Sequence, residues 1–293
     1  MNSDKLIAID VGGTSIKYGL WNQRSLMLSN KDSVKTPETL EEFYGVIKYI
    51  ADKFHNEQIQ GIGLSIPGAV DQSTGIINGV SALPYIHGFK ILDELESLTG
   101  HQMAMENDAN CSALAEISIG AAKDFNNIVF LVIGTGVGGS VVIDGKIVYG
   151  SHLYGGELGM MLGSNGQTLS MAGTAVHLAE RYNKKYQTDF SGQHVLELAD
   201  TGDRGAIKEA QVMYDSLAQA IYNLQFVTDP EAIIIGGGIS ANNNFIANLK
   251  AAVTKLMAQW GDNVLAPQIK PAKYRNDANL IGAVYNFYNQ FNQ

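Results

Sequence analysis

Cysteine is almost absent: Cys111 stands alone in 293 residues. An intrachain disulfide is therefore excluded, and so is a cysteine-based zinc cluster. Charged residues are scarce, 17% of the chain against a usual share of about a quarter, while 45% are hydrophobic. That balance supports a full core and does not fit a disordered chain. Basic residues are the minority: 20 Lys and Arg against 29 Asp and Glu give a net charge of -9. Broad nucleic-acid or membrane-surface binding needs a basic face, so neither partner is expected. An anionic nucleotide is still allowed, because backbone N–H groups and Mg²⁺ can hold it. No apolar run reaches membrane-spanning length. The opening Met1-Asn2-Ser3-Asp4-Lys5 lacks the basic region, apolar core and cleavage site of a signal peptide, so a soluble cytoplasmic protein is expected.

Glycine is plentiful, with 32 residues, and two apolar runs end in glycine-rich turns. The first is Ile9-Asp10-Val11-Gly12-Gly13-Thr14 and the second Ile133-Gly134-Thr135-Gly136-Val137-Gly138-Gly139. Each reads as strand, Gly/Thr turn, strand. Such a turn leaves backbone N–H groups and a hydroxyl around one small volume that suits phosphate oxygens, since only glycine lets the backbone approach an anion so closely. Two of them read as jaws on the phosphates of a nucleotide, with Asp10 near a Mg²⁺–phosphate complex. The first also reads as a plain hairpin between buried strands, with Asp10 closing the turn. It is not a Walker loop, since no Gly-Lys-Ser/Thr ends it. It is not a dinucleotide fingerprint, since a strand follows rather than a helix.

The patterning predicts a hairpin over 5–20, a weaker strand at Leu26–Lys35, and a helix over Thr39–His55 with Pro37 in its opening turn. Strands follow at Ile59–Ile66 and Met103–Met105, with 71–90 turn-rich, a helix at Ile91–Leu98 and another running through Ile119. The second half repeats the plan: a hairpin at 128–149, a Gly-rich stretch at 150–166, and helices near 172–185, 192–200 and 205–227. A strand at Ala232–Ile235, a helix at 241–259, a strand near Val264–Lys270 and a last helix from Asn279 complete it. This echo predicts two α/β domains with a central cleft, 1–115 plus the C-terminal helix 279–293, and 116–278.

Three further sites read two ways. Ile235-Gly236-Gly237-Gly238 ends a buried strand before a helix; it offers a helix start and a flat backbone to a base or ribose, or is a simple turn. Asp108 falls where a strand ends and a helix begins. It is a proton acceptor for a substrate hydroxyl, or one of the caps that Asn and Asp commonly supply. Glu157, held among glycines in Gly155-Gly156-Glu157-Leu158-Gly159, binds sugar hydroxyls or is an ordinary exposed acid.

In order, these motifs resemble the sugar kinases of the ROK family (repressors, open reading frames, kinases). The residues that carry the resemblance are Asp10-Val11-Gly12-Gly13-Thr14 with Lys17, Gly63-Leu64-Ser65-Ile66-Pro67-Gly68, Glu106-Asn107-Asp108-Ala109-Asn110, Gly134 through Gly139, Gly156-Glu157-Leu158-Gly159, and Ile235 through Ser240. Each motif is weak alone; together they span nearly the whole chain. The resemblance implies an α/β, actin-like ATPase (RNase H-like) fold whose final helix packs back on the first domain. It implies in-line transfer of the γ-phosphoryl group of ATP, with Mg²⁺, to a hexose 6-hydroxyl. Asp108 resembles the catalytic base. Asn107 and Glu157 resemble sugar-binding residues, with Gly68 and Pro84 on the sugar side. Gly12, Gly13, Thr14, Lys17, Gly134, Thr135 and Gly136 resemble the phosphate-binding set. Gly237 and Gly238 resemble the adenosine contact, and Asp10 lies near Mg²⁺, indirectly bound. A homodimer is implied as well.

The chain departs from the family where Gly-Glu-Leu-Gly is usually followed by His, a Cys-rich zinc segment and a second sugar-binding Glu. Met160 stands at the His, Met161–Gly173 holds no Cys, and Leu169 or Ser170 falls near the missing Glu. Structural zinc is not expected, and Met160 reads as a packing residue. The missing pair addresses the reducing end of the sugar, so a pocket open to an N-acetylated hexose or a β-glucoside is expected. Tyr85 lines the pocket or anchors its loop; His87 and His152 read as structural or solvated, and Cys111 as packed. Repressor members carry a helix-turn-helix ahead of the first turn, and only nine residues precede Asp10. A silent sugar-binding protein is the alternative, which the retained Asp108 and both turns disfavour. Glu106 through Asn110 disfavours other actin-like enzymes such as acetate kinases.

Overall fold

A computed structural model describes residues 4–164, 166–261 and 266–291. The chain forms two compact units. One runs to Ser118 and adds Gly150–Tyr154 and the segment from Asn276; the other comprises Ile119–Tyr149 and Gly155–Arg275.

In the first unit, β1 (Lys5–Val11), β2 (Ser15–Asn22) and β3 (Met27–Lys35) form an antiparallel meander. Helix α1 (Leu40–Lys53) buries Phe43, Ile47 and Ile50, a stripe at helical spacing. Its N-cap is Thr39, whose hydroxyl accepts the N–H of Glu42 at 3.3 Å. Pro37 therefore precedes the helix, contrary to the placement expected in its opening turn, and its carbonyl accepts the hydroxyl of Tyr85 at 2.6 Å. Strand β4 (Ile62–Ile66) pairs parallel to β1. A two-stranded ribbon, β5 (Ala69–Asp71) and β6 (Ile76–Asn78), then stands where only turns were expected. Its strands are too short to show a period of two, and the buried Val70–Ile77 pair holds them. Helix α2 (Ile91–Thr99), strand β7 (Met103–Asn107) and helix α3 (Asp108–Ile119) complete the run. The sheet order is β3-β2-β1-β4-β7.

The second unit uses the same order. Strands β8 (Ile128–Ile133), β9 (Val137–Ile143) and β10 (Lys146–Ile147) form the meander. Helices α4 (Leu169–Ala172), α5 (Ala175–Tyr186), α6 (Gly192–Asp200) and α7 (Arg204–Thr228) follow. The single helix expected near 172–185 is interrupted at Gly173, because Thr174 caps α5 afresh by accepting the N–H of His177. Strand β11 (Ala232–Gly236), helix α8 (Asn243–Met257) and strand β12 (Gln268–Pro271) end the unit. The strand expected near Val264–Lys270 begins at Gln268; Val264 and Leu265 lie outside the described residues. The order β10-β9-β8-β11-β12 repeats that of the first sheet.

Helix α9 (Ala278–Phe291) belongs to the first unit and packs on β1, β4 and β7. Close approach sets its seat: a Cβ on Gly63 would overlap the carbonyl of Ala283, and one on Gly282 would overlap the carbonyl of Cys111. Cys111 is fully buried beneath it.

Candidate functional site

Strand register builds the first half of the site. Lys17 pairs with Asp10, Asp10 with Ser65, and Ser65 with Glu106, so four neighbouring strands carry one row of polar residues. Asp10 is 5% exposed. Its Oδ1 accepts from the hydroxyl of Ser65 at 3.1 Å and from Nδ2 of Asn279 at 2.9 Å, while Lys17 Nζ stands 3.9 Å from Oδ2. Burial pushes its pKa above the usual carboxylate value, and Asn279, Lys17 and Ser65 hold it back. One carboxylate oxygen is thus tied into the fold, while the other faces the Lys17 ammonium.

Above Asp10 the chain turns through Gly12, Gly13 and Thr14. The N–H of Gly12 donates to Ser15 O at 3.0 Å, and the hydroxyl of Thr36 donates to Gly12 O at 2.6 Å. Gly13 and Thr14 are exposed at the tip. A Cβ on Gly13 would lie 3.1 Å from Ala82 Cβ, so the turn abuts the loop that carries Ser81, Pro84 and His87. In that loop Ser81 Oγ and His87 Nε2 are 2.7 Å apart, which makes His87 structural. Pro84 is exposed at the start of a 3-10 turn. Tyr85 packs on Phe43 and bonds Pro37 O, so it anchors the loop. His87 in turn packs on Gly68, whose φ of +109° leaves no room for a side chain between Ile77 and His87.

Gly68 O accepts Nδ2 of Asn107 at 3.0 Å. Oδ1 of Asn107 accepts the N–H groups of Ala109 at 2.9 Å and Asn110 at 3.2 Å. The capping role that Asp108 might have filled thus falls chiefly to Asn107. Asp108 also accepts the N–H of Ala109, at 2.8 Å, and its side chain lies on an exposed residue beside buried Ala109 and Asn110. The structure therefore gathers Asp10, Lys17, the first turn, Pro84, Gly68, Asn107 and Asp108 in one unit.

The second unit gathers another set. Gly134, Thr135 and Gly136 are exposed at the tip of the β8–β9 hairpin, where the N–H of Gly134 donates to Gly136 O at 2.9 Å. Ser170 braces this hairpin: its Oγ accepts the N–H of Val137 at 3.0 Å and donates to Val137 O at 3.2 Å. Gly237, with φ +83°, lies against Ile133 O at the base of the same turn, and a Cβ on Gly238 would meet nothing within 4 Å. The glycine run leads into a 3-10 turn at Gly238–Ala241, not directly into α8, where the cap Asn242 accepts the N–H of Phe245. Glu157 is exposed on a loop whose Gly156 and Gly159 lie against Ser140 and Val137 of β9.

Met160 does not pack as expected; it is 68% exposed. It closes a 3-10 turn, and Leu158 takes the buried position instead. Beyond it, where the family's Cys-rich segment would fall, Leu162 bridges to Thr168 and the N–H of Gly163 donates to Gln167 O. Leu162 and Met171 are exposed beside it. Sequence reasoning missed the parts played by Asn279, Thr36, Ser170 and Glu106. Ser65 and Glu106 lie inside motifs that carry the family resemblance, but the partners they take are set by strand register, which the sequence does not report.

Comparison with known proteins agrees with this fold. The ROK family model matches residues 6–289. A beta-glucoside kinase of Listeria monocytogenes is 30% identical, covering 99% of this chain and 99% of its own. A glucokinase of Thermotoga maritima is 32% identical, covering 80% of this chain and 82% of its own. The crystal structure of a ROK family protein from Streptococcus pneumoniae TIGR4 in complex with sucrose superposes with a TM-score of 0.89 at 35% identity, covering 99% of each chain. The chain belongs to the ROK family and has the α/β, actin-like ATPase fold.

Proposed function

We propose that this chain is an ATP-dependent sugar kinase that phosphorylates the 6-hydroxyl of a hexose or hexose derivative, with a β-glucoside as the favoured acceptor. The observation that carries the reading is the Asn107–Asp108 corner. Asn107 does most of the capping of α3, so the carboxylate of Asp108 stays at the exposed start of the helix. There Asp108 accepts the proton of the sugar hydroxyl as that oxygen attacks phosphorus. Asn107, Gly68 and Pro84 form the sugar side of this unit, and Glu157 binds further hydroxyls. The backbone of Gly12, Gly13, Thr14, Gly134, Thr135 and Gly136 holds phosphate oxygens, with Lys17 adding charge. Gly237 and Gly238 receive the adenosine. Mg²⁺, when bound, neutralises charge on the transferring phosphates. Asp10 is the residue that would hold the ion.

The acceptor follows from Met160 and Ser170. Neither offers the imidazole or carboxylate that addresses a reducing-end hydroxyl in the resembling kinases, and Ser170 is engaged with Val137. A substituent on that end meets no charged group from these two positions. The relative named beta-glucoside kinase supports the same acceptor.

The test is an ADP-release assay over glucose, N-acetylmannosamine and cellobiose, with the product located by NMR. Phosphorylation of cellobiose at a 6-hydroxyl is the expected outcome. A strong preference for plain glucose overturns the acceptor, and no turnover of any sugar favours the silent binding protein.

A further inference from the structure

We propose that Glu106 is a positioning residue for the Asn107–Asp108 corner, and that Gln72 and Asn286 extend its hold to helix α9. The inference rests on the reading of Asp108 as proton acceptor.

Glu106 is fully buried, one residue before the end of β7. A carboxylate there is costly unless N–H donors surround it. Its Oε1 accepts the backbone N–H of Asn107 at 2.7 Å and Nδ2 of Asn110 at 3.0 Å. Those donors flank Asp108 in the chain, so one carboxylate fixes the backbone before it and the side chain after it. With its backbone held, Asn107 directs Oδ1 to the start of α3 and Nδ2 to Gly68. The other oxygen, Oε2, accepts Nε2 of Gln72.

Gln72 Nε2 also donates to Oδ1 of Asn286, at 3.1 Å. Asn286 is 3% exposed, and its Nδ2 finds no hydrogen-bond partner among the described residues. Asn279, which holds Asp10, lies seven positions earlier on the same helix. Seven residues close two turns, so both amides share one face, about 10.5 Å apart along the axis. Asp10 on β1 and Glu106 on β7 are two strands apart in the order β1-β4-β7, a step of about 9.5 Å. Helix α9 thus matches the spacing of the two carboxylates, one reached directly and one through Gln72. Both donors to Oε1 belong to residues that bracket Asp108 in the chain.

Glu106→Gln keeps the volume but replaces one acceptor oxygen with an NH2 group, so one side of the network meets donor against donor. The experiment is steady-state kinetics on the sugar that the wild type phosphorylates, with thermal unfolding in parallel. We expect Glu106→Gln to lower kcat about 10- to 100-fold, with KM for sugar and ATP within about threefold of wild type. Gln72→Met should lower kcat about three- to tenfold. Its effect should shrink in the double variant, since both act through one contact. A kcat within about twofold of wild type in folded Glu106→Gln, or fully additive losses, overturns the proposal. Where Glu106→Gln does not fold, an unchanged kcat in Gln72→Met overturns it. An inactive wild type instead overturns the kinase reading, and this inference with it.

Discussion

Asn279 Nδ2 donates to Asp10 Oδ1 at 2.9 Å although 269 positions separate the two residues. The hydroxyl of Ser112 donates to Asn279 Oδ1, which turns the amide so that its N–H group faces the acid. The orientation of Asp10 is therefore set from the far end of the chain. Asn279→Ala should weaken the use of MgATP, lowering kcat/KM about tenfold, as expected for loss of a hydrogen bond to a charged group. Asn279→Asp sets carboxylate against carboxylate and should cost more, about a hundredfold. Kinetics over a range of Mg²⁺ and ATP concentrations check this; equal effects of the two variants would refute it.

Asp108→Asn should lower kcat about 10²- to 10⁴-fold, the usual contribution of a positioned base. Asn107 keeps capping α3, so the melting temperature should stay within about 2 °C of wild type. Unchanged turnover would remove Asp108 from the reaction.

The pH dependence of stability should carry the mark of Asp10. Burial raises its folded pKa above the unfolded value. The charged form is thus the disfavoured one in the fold. Its penalty is full above the folded pKa and fades as pH falls through that value toward the ordinary carboxylate range. Asp10→Asn should therefore be more stable than wild type at pH 7 in the absence of nucleotide and metal. The gap should narrow on acidification, and turnover should fall about a hundredfold. Thermal unfolding at pH 7 and pH 5 decides it; a variant less stable than wild type at pH 7 would contradict the sign.

Cys111 is fully buried, and burial, reinforced by the negative charge of Glu106, pushes its thiol well above the ordinary range. The thiolate is the reactive form. A disulfide reagent at pH 8 should leave the native protein unmodified for hours and react once denaturant unfolds it. Prompt labelling of the native chain would show that α3 and α9 separate readily.

Much of this was legible in the sequence because it is local. Asp10 through Thr14 sits between apolar runs that must pair, and the stripe Phe43, Ile47, Ile50 repeats with the helix. Glycines mark where backbone approaches backbone, as at Gly237. The β5–β6 ribbon escaped notice because three-residue strands carry no period. Met160 was misjudged because an apolar side chain is buried by default, whereas a 3-10 turn seated on Leu158 turns it outward. Asn279 and Ser170 were invisible for another reason. An asparagine or a serine is chemically ordinary until the fold sets it beside a particular carboxylate or hairpin, and no spacing rule reports a partner so far along the chain.

The seat of α9 has a consequence for how the protein is made. Strands β1, β4 and β7 are synthesised early, but the helix that covers them begins at Ala278. Until then their apolar face, and the groove over Gly61 and Gly63, lacks its cover, while most of the second unit has already emerged. Long-range closure of this kind is slow and leaves hydrophobic surface open to aggregation. A polypeptide halted before residue 276 would carry the first glycine turn and Asp108 yet lack the amide that steadies Asp10. The contact that steadies Asp10 is thus among the last that the emerging chain can make.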